Sequence, residues 1–208
     1  MAVSAAQVKE LRERTGAGMM DCKKALDQCN GDTEGAIEWL RKQGLSAVAK
    51  RATRQAKEGA VIAYIHSNRK IGVLLELNCE TDFVARTEGF LKLGNELAMQ
   101  VAAMSPEFVS PDDISAERLE RERAIFADLT RNEGKPEAAV PKIVEGRLKK
   151  LMSEICLLEQ IYVRSEKKET VRDLITQVAA GIGENIQVRR FARFNVDEAS
   201  GAAGADEE

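Results

Sequence analysis

An alternating apolar segment that ends in a corner constrains the fold more than any other part of this sequence. Two apolar segments, residues 61–65 and 71–77, flank a turn at residues 67–69, which predicts a β-hairpin over residues 59–78. In the second segment the side chains predicted to share one face are Ile71, Val73, Leu75 and Leu77. A long helix is predicted directly afterwards, over residues 82–104. Thr81 is suited to cap that helix, because its hydroxyl can accept a hydrogen bond from a first-turn N–H group. Asp82 then places negative charge at the positive end of the helix dipole.

Phe83 stands at this corner, and its surroundings have two interpretations. Helical periodicity places it on one stripe with three further apolar side chains, Phe90, Leu97 and Val101. Taken alone, this periodicity predicts a core position for Phe83. The alternative is that Phe83 projects from the start of the helix toward a partner.

Composition restricts the function classes. The chain has 208 residues, a net charge of -3 and 44% hydrophobic residues, so it is an ordinary globular chain without a global attraction to nucleic acid or to anionic membranes. No segment has the length and apolarity of a signal peptide or a membrane span, so we expect a cytoplasmic protein.

The four cysteines form no CxxC pair, and with one histidine they make no convincing zinc site. We expect them to be buried thiols in a reducing compartment: Cys22, Cys29, Cys79 and Cys156.

Three short helices are predicted within residues 1–45. The start and stop signals are, in chain order, the capping box Ser4 to Gln7, Gly16, Asn30-Gly31, Asp32 and Gly44. A unit of this size is only marginally stable alone, which favours a docking module. Residues 16–18 invite a phosphate-loop interpretation, but they lack the spacing of a P-loop and the third glycine of a dinucleotide loop.

The remaining chain predicts an α+β fold. Residues 46–57 are predicted to form a basic linker helix. Because no aromatic side chain accompanies its cations, a solvated linker is favoured over a nucleic-acid site. The core domain, residues 58–196, combines a small antiparallel sheet with packed helices and a helical hairpin. Its later elements are predicted as helices 116–132 and 136–158, a strand at 160–163, a helix from Thr170 to Ala180 and a strand at 186–196. Residues 197–208 are acidic and lack large apolar side chains, so we expect a disordered tail.

No catalytic constellation is visible. The many carboxylates alternate with lysine and arginine, which is typical of solvated helices with i,i+4 ion pairs. His66 lies at the end of a predicted strand without a carboxylate or nucleophile at a recognisable spacing. We therefore expect neither enzymatic activity nor a metal or other cofactor.

Two segments carry a family resemblance. Thr15 to Leu26 (TGAGMMDCKKAL) and Thr81 to Val84 (TDFV) resemble the bacterial elongation factor Ts family, the guanine-nucleotide exchange factors of elongation factor Tu. Glu145 to Lys149 and Gly183 to Ile186 extend the resemblance over nearly the whole chain. The chain resembles the short form of the family, with one copy of the α+β core unit and no inserted coiled coil.

The resemblance implies a set of partner contacts. The three-helix unit resembles a ubiquitin-associated domain, and the corner implies a wedge that enters the GTPase domain of elongation factor Tu and dislocates its magnesium ion: Thr81, Asp82, Phe83 and Val84. Further implied contacts are His66 near the switch region, Ile182 and Gly183 on the phosphate-binding side, and Met19, Met20 and Lys23 in the N-terminal unit.

Elongation factor Tu is the expected partner, and no nucleic acid or membrane is implied. A homodimer is compatible with the sequence. The competing hypothesis is a scaffold whose three-helix head binds a small folded partner without nucleotide exchange.

Overall fold

Eight α-helices and three β-strands form within residues 3–15 and 17–196, which are the residues described by the structure, a computed structural model. The helices are α1 (Ala5–Thr15), α2 (Met19–Gln28), α3 (Thr33–Arg51), α4 (Asp82–Ala85), α5 (Glu88–Met104), α6 (Ala116–Asn132), α7 (Val140–Ile155) and α8 (Val171–Ile182). The strands are β1 (Glu58–Ile65), β2 (Ile71–Cys79) and β3 (Gln187–Asn195). The predicted α+β fold class is confirmed.

Local signals define three of the predicted helix ends. The Ser4 hydroxyl accepts a hydrogen bond from the Gln7 N–H at 3.2 Å, while the Gln7 side chain accepts one from the Ser4 N–H at 3.0 Å. Asn30 and Gly31 have φ values of 53° and 85°, the left-handed backbone that ends α2. The Asp32 carboxylate accepts hydrogen bonds from two first-turn N–H groups and caps α3. Gly16 lies outside the described residues, as does the predicted disordered tail of residues 197–208.

These three helices enclose a core of their own. Its buried members come from all three helices: Val8, Leu11, Cys22, Ala25, Leu26 and Ala36. Trp39 and Leu40 pack against this cluster while partly exposed. The apolar stripes that predicted the helices therefore point toward one another.

The predicted end of the third helix at Gly44 is wrong, because α3 continues to Arg51. A Cβ atom on residue 44 would lie 3.1 Å from the Cβ of Ala180, so glycine allows α8 to pack closely there. A glycine inside a helix costs about 1 kcal/mol relative to alanine, which long-range packing can offset. The first part of the predicted linker helix is thus the continuation of α3, and the prediction is wrong for residues 52–57, which are not helical.

The sheet has the strand order β1-β2-β3, with β2 in the centre. The hairpin turn is closed by a hydrogen bond from the His66 N–H to the Ile71 carbonyl at 2.9 Å. On the predicted face of β2, Val73, Leu75 and Leu77 are buried and Ile71 is partly buried. The predicted hairpin and the final strand are confirmed.

The predicted strand at residues 160–163 is wrong. Only an isolated antiparallel bridge joins Ile161 to Thr170. The buried Gln100 side chain takes the place of a neighbouring strand: its Nε2 donates to the Ile161 carbonyl at 3.1 Å, and its Oε1 accepts from the Val163 N–H at 2.8 Å. A side-chain amide carries the same donor and acceptor as a peptide unit, so it satisfies these backbone groups without a sheet.

The predicted helical hairpin is confirmed in α6 and α7. Val140, Val144 and Leu148 are buried and pack with the partly buried side chains of Phe126 and Ala127. Ion pairs border this contact: Arg123 with Glu145, and Arg147 with Glu133 at 2.6 Å. The second helix is shorter than predicted, because short 3₁₀ turns occupy residues 137–139 and 157–159.

The chain divides into two compact units. The first comprises Met1–Ala60, Leu77–Leu93 and Asp173–Gln187, and the second Val61–Glu76, Gly94–Arg172 and Val188–Glu208. The predicted domain boundaries after residues 45, 57 and 196 stay predictions. Within the part of the chain that the structure describes, no helix has both the length and the apolarity to cross a membrane.

Candidate partner-binding site

The corner between β2 and α4 is built by the residues predicted to build it. The Thr81 hydroxyl accepts a hydrogen bond from the Val84 N–H at 3.4 Å, which caps α4 as expected. Asp82 lies in the first turn, and its carboxylate pairs with Arg86 at 3.0 Å. This local network holds the backbone on both sides of Phe83.

Phe83 projects into solvent with 82% of its surface exposed, so the core position predicted from periodicity is wrong. The single helix predicted over residues 82–104 is also wrong, because α4 ends at Ala85 and α5 begins at Glu88. The Thr87 hydroxyl accepts a hydrogen bond from the Phe90 N–H at 3.4 Å and starts the second helix. This interruption separates Phe83 from the buried stripe that begins at Phe90.

Two glutamates that the sequence analysis did not single out hold this corner. The Glu184 carboxylate accepts hydrogen bonds from the N–H groups of Glu80 and Thr81 and from the Thr81 hydroxyl. The Glu80 carboxylate accepts one from the Asn185 N–H. The only sequence signal for Glu184 was its place in the family segment Gly183 to Ile186.

Ile182 and Gly183 lie immediately before Glu184, at the end of α8. Gly183 has a φ of 88°, in the left-handed region that favours glycine, and its N–H donates to the Ala179 carbonyl at 2.9 Å. The structure therefore places this predicted contact pair next to a residue that is hydrogen-bonded to the corner.

Met19, Met20 and Lys23 are exposed on α2, and Met20 exposes 76% of its surface. The same helix buries Cys22 and Leu26 completely. Because α2 contributes its opposite side to the three-helix core, the two methionines remain available as a pliable contact surface.

His66 is exposed just beyond the end of β1 and belongs to the second compact unit, whereas the corner belongs to the first. Its Nδ1 lies 3.0 Å from the Tyr64 hydroxyl, and the two rings are tilted by 42°. Tyr64 therefore orients the imidazole of this predicted contact residue.

Cys79 is buried directly behind the corner, and its thiol donates to the Thr81 carbonyl at 3.1 Å. Burial, followed by the charge of Glu184, raises the pKa of the Cys79 thiol above its ordinary value. Since the thiolate is the reactive form, this environment favours a structural role.

In residues 3–15 and 17–196, no group of three or more His, Cys, Asp or Glu side chains could hold a metal ion. The features that converge at the corner are an exposed aromatic ring, a capped backbone turn and a hydrogen-bonded neighbouring loop. This combination is typical of a site that binds another protein through a complementary shape.

Known proteins that are similar to this chain share one family name. A model of the family described as elongation factor TS matches residues 40–169. Elongation factor Ts of Solidesulfovibrio magneticus is 54% identical over 197 residues, which cover 95% of this chain and 98% of that protein. Elongation factor Ts of Thermosipho melanesiensis is 55% identical over 196 residues, covering 94% of this chain and 100% of that protein.

The fold and these matches define a translation factor of α+β architecture. The chain belongs to the elongation factor Ts family. This family is the nucleotide exchange factor of elongation factor Tu in translation.

Proposed function

We propose that this chain binds the GDP complex of elongation factor Tu and accelerates GDP release, after which GTP refills the site. The observation that carries the proposal is the 82% exposure of Phe83 on a capped, hydrogen-bonded corner. A large aromatic ring held in water by rigid surroundings is suited to insertion into a pocket of a partner.

The mechanism is displacement without covalent chemistry. A GTPase holds GDP through a phosphate-cradling loop and a magnesium ion that demands nearly ideal octahedral geometry, so a small shift of the ligating elements weakens both. Insertion of Phe83, supported by Thr81, Asp82 and Val84, supplies that shift, and burial of the ring supplies its free energy. By linkage, GDP weakens the binding of the factor as much as the factor weakens the binding of GDP.

The other predicted contacts act on the same partner. Ile182 and Gly183 press on the phosphate-binding side of the GTPase domain, and His66 contacts the region near its switch. Met19, Met20 and Lys23 bind a second site on the same domain. The N-terminal helices act as the ubiquitin-associated-like domain of residues 1–45, and the protein works in the cytoplasm without cofactors.

A nucleotide-release assay tests the proposal. Elongation factor Tu loaded with a fluorescent GDP analogue is mixed with excess unlabelled GDP and increasing amounts of this protein. The expected result is a release rate that rises and saturates with protein concentration, while the protein alone hydrolyses neither GDP nor GTP. A release rate that stays unchanged at saturating protein refutes exchange, and binding without faster release supports the scaffold hypothesis.

A further inference from the structure

Glu184 connects the loop after α8 to a segment more than 100 residues earlier in the chain. Its Oε2 accepts hydrogen bonds from the Glu80 N–H at 3.0 Å and the Thr81 N–H at 3.1 Å. Its Oε1 accepts one from the Thr81 hydroxyl at 2.7 Å. Hydrogen bonds to a charged acceptor are about twice as strong as those between neutral groups.

Glu80 makes the reverse connection. Its Oε1 accepts a hydrogen bond from the Asn185 N–H at 2.7 Å, and its Oε2 lies 3.3 Å from the Arg54 guanidinium. The Asn185 side chain is itself buried and donates to the Arg54 carbonyl at 2.8 Å. We call the reciprocal pair Glu80 and Glu184 the carboxylate clamp, because each side chain binds the backbone of the other segment.

The clamp acts directly on the turn that presents Phe83. The Thr81 hydroxyl donates to Glu184 and at the same time accepts from the Val84 N–H, so one side chain joins the clamp to the helix cap. Ile182 and Gly183 precede Glu184 without an intervening residue. Both predicted contact segments are therefore held to each other by the same two carboxylates.

Rigidity at this point matters for a wedge. A loose corner would have to be ordered on binding, and that entropic cost would be subtracted from the free energy available to displace elements of the partner. The charge-assisted bonds of the clamp provide this order in the free protein.

We infer that Glu80 and Glu184 are positioning residues for nucleotide exchange, which hold Phe83 and the Ile182-Gly183 loop as one rigid contact surface. This inference rests on the proposed exchange function. Neither carboxylate needs to touch elongation factor Tu for the clamp to act.

Substitutions that keep shape but remove charge test the role, namely Glu184→Gln and, as a second variant, Glu80→Gln. Glu166→Gln is the matched control, because Glu166 is exposed on a surface loop outside the clamp. For either clamp variant, the maximal GDP-release rate at saturating protein should fall on the order of 10-fold, as expected when a contact group is misplaced. The control should keep the wild-type rate. All rates are measured below the melting temperature of each variant.

Amide hydrogen exchange measured by NMR gives a readout that needs no partner. The N–H groups of residues 80 and 81 should exchange faster in Glu184→Gln, and that of residue 185 faster in Glu80→Gln, with no such change in the control. Unchanged exchange at these amides overturns the clamp itself.

The two readouts separate the possible failures. If wild-type protein does not release GDP, the proposed function fails, while the amide measurement still decides whether the clamp exists. If the wild type is active and both clamp variants release GDP at the wild-type rate, the positioning role is overturned even when their amides exchange faster.

Discussion

At the scale of single residues, two phenylalanines seven positions apart have opposite environments. Phe83 is exposed to 82%, whereas Phe90 is completely buried. Transfer of a phenylalanine side chain from water into a pocket contributes about 1.5–3 kcal/mol. Phe90 contributes that free energy to folding, whereas under the proposed function Phe83 contributes it to the binding of elongation factor Tu.

Substitution of each ring by alanine should separate these contributions. Phe83→Ala should change the free energy of unfolding by only about 0.5 kcal/mol, as is usual for surface positions, while GDP release falls sharply. The control Phe90→Ala should lower the free energy of unfolding by about 3–5 kcal/mol, because it creates a cavity. Thermal melts and release rates measure both effects. A Phe83→Ala variant that is strongly destabilised but still releases GDP at the normal rate at low temperature would contradict the proposed insertion of Phe83 into the partner.

At the scale of secondary-structure elements, the pairing of β1 with β2 depends on a glycine near the corner. A Cβ atom on Gly59 would lie 2.2 Å from the Leu77 carbonyl oxygen and 2.8 Å from the Asn78 Cα. Both obstacles are backbone atoms, so no side-chain rotation can relieve the clash. The strand that leads into the corner can approach β1 this closely only because residue 59 has no side chain.

We expect Gly59→Ala to lower the free energy of unfolding by at least about 2 kcal/mol, the scale of a strained backbone position. Gly146→Ala is the matched control, since the added methyl group on α7 would have no atom within 4 Å apart from the adjacent backbone of its own helix. The control should raise the free energy of unfolding by about 0.5–1 kcal/mol through helix propensity. Urea titrations measure the free energy of unfolding of both variants. Equal effects would show that β1 and β2 can move apart enough to accommodate the added methyl group.

At the scale of the whole molecule, the protein presents two candidate contact surfaces with different structural support. The exposed methionines lie on α2, which is held by side-chain packing among the first three helices. The corner at Phe83 is held by hydrogen bonds between distant segments. We therefore expect the first surface to contribute mainly affinity and the second mainly displacement of the nucleotide.

Met20→Ala should test this division. The concentration of factor that gives half-maximal GDP release should rise by about 5–10-fold, which corresponds to losing a contact worth slightly more than 1 kcal/mol. The maximal rate of GDP release should stay within about twofold of wild type. Loss of an interaction that stabilises the ground state and the transition state equally does not change the maximal rate. Met104→Ala, at another exposed methionine, serves as the control. A lower maximal rate with unchanged half-saturation would contradict the division.

The sequence alone determined the features that depend on residues within one or two helical turns. The Ser4 to Gln7 capping box, the Asp32 cap, the Thr81 cap and the alternation on β2 were all readable, because the interacting groups are close in sequence. The corner and its phenylalanine were located in the same way. Helix existence and fold class followed from these local signals.

Only the tertiary structure decided how distant segments complete or override those signals. Gly44 continues a helix because α8 packs against it, and Gln100 replaces a strand partner for residues some 60 positions away. Glu184 accepts hydrogen bonds from Glu80 and Thr81, which lie 104 and 103 positions earlier in the chain. Periodicity carries no information about such contacts, since a side chain's partner across the fold leaves no mark in the local spacing. For Phe83, periodicity favoured the core and the family resemblance favoured the surface, and the helix break and the exposure of its ring assigned it to the surface.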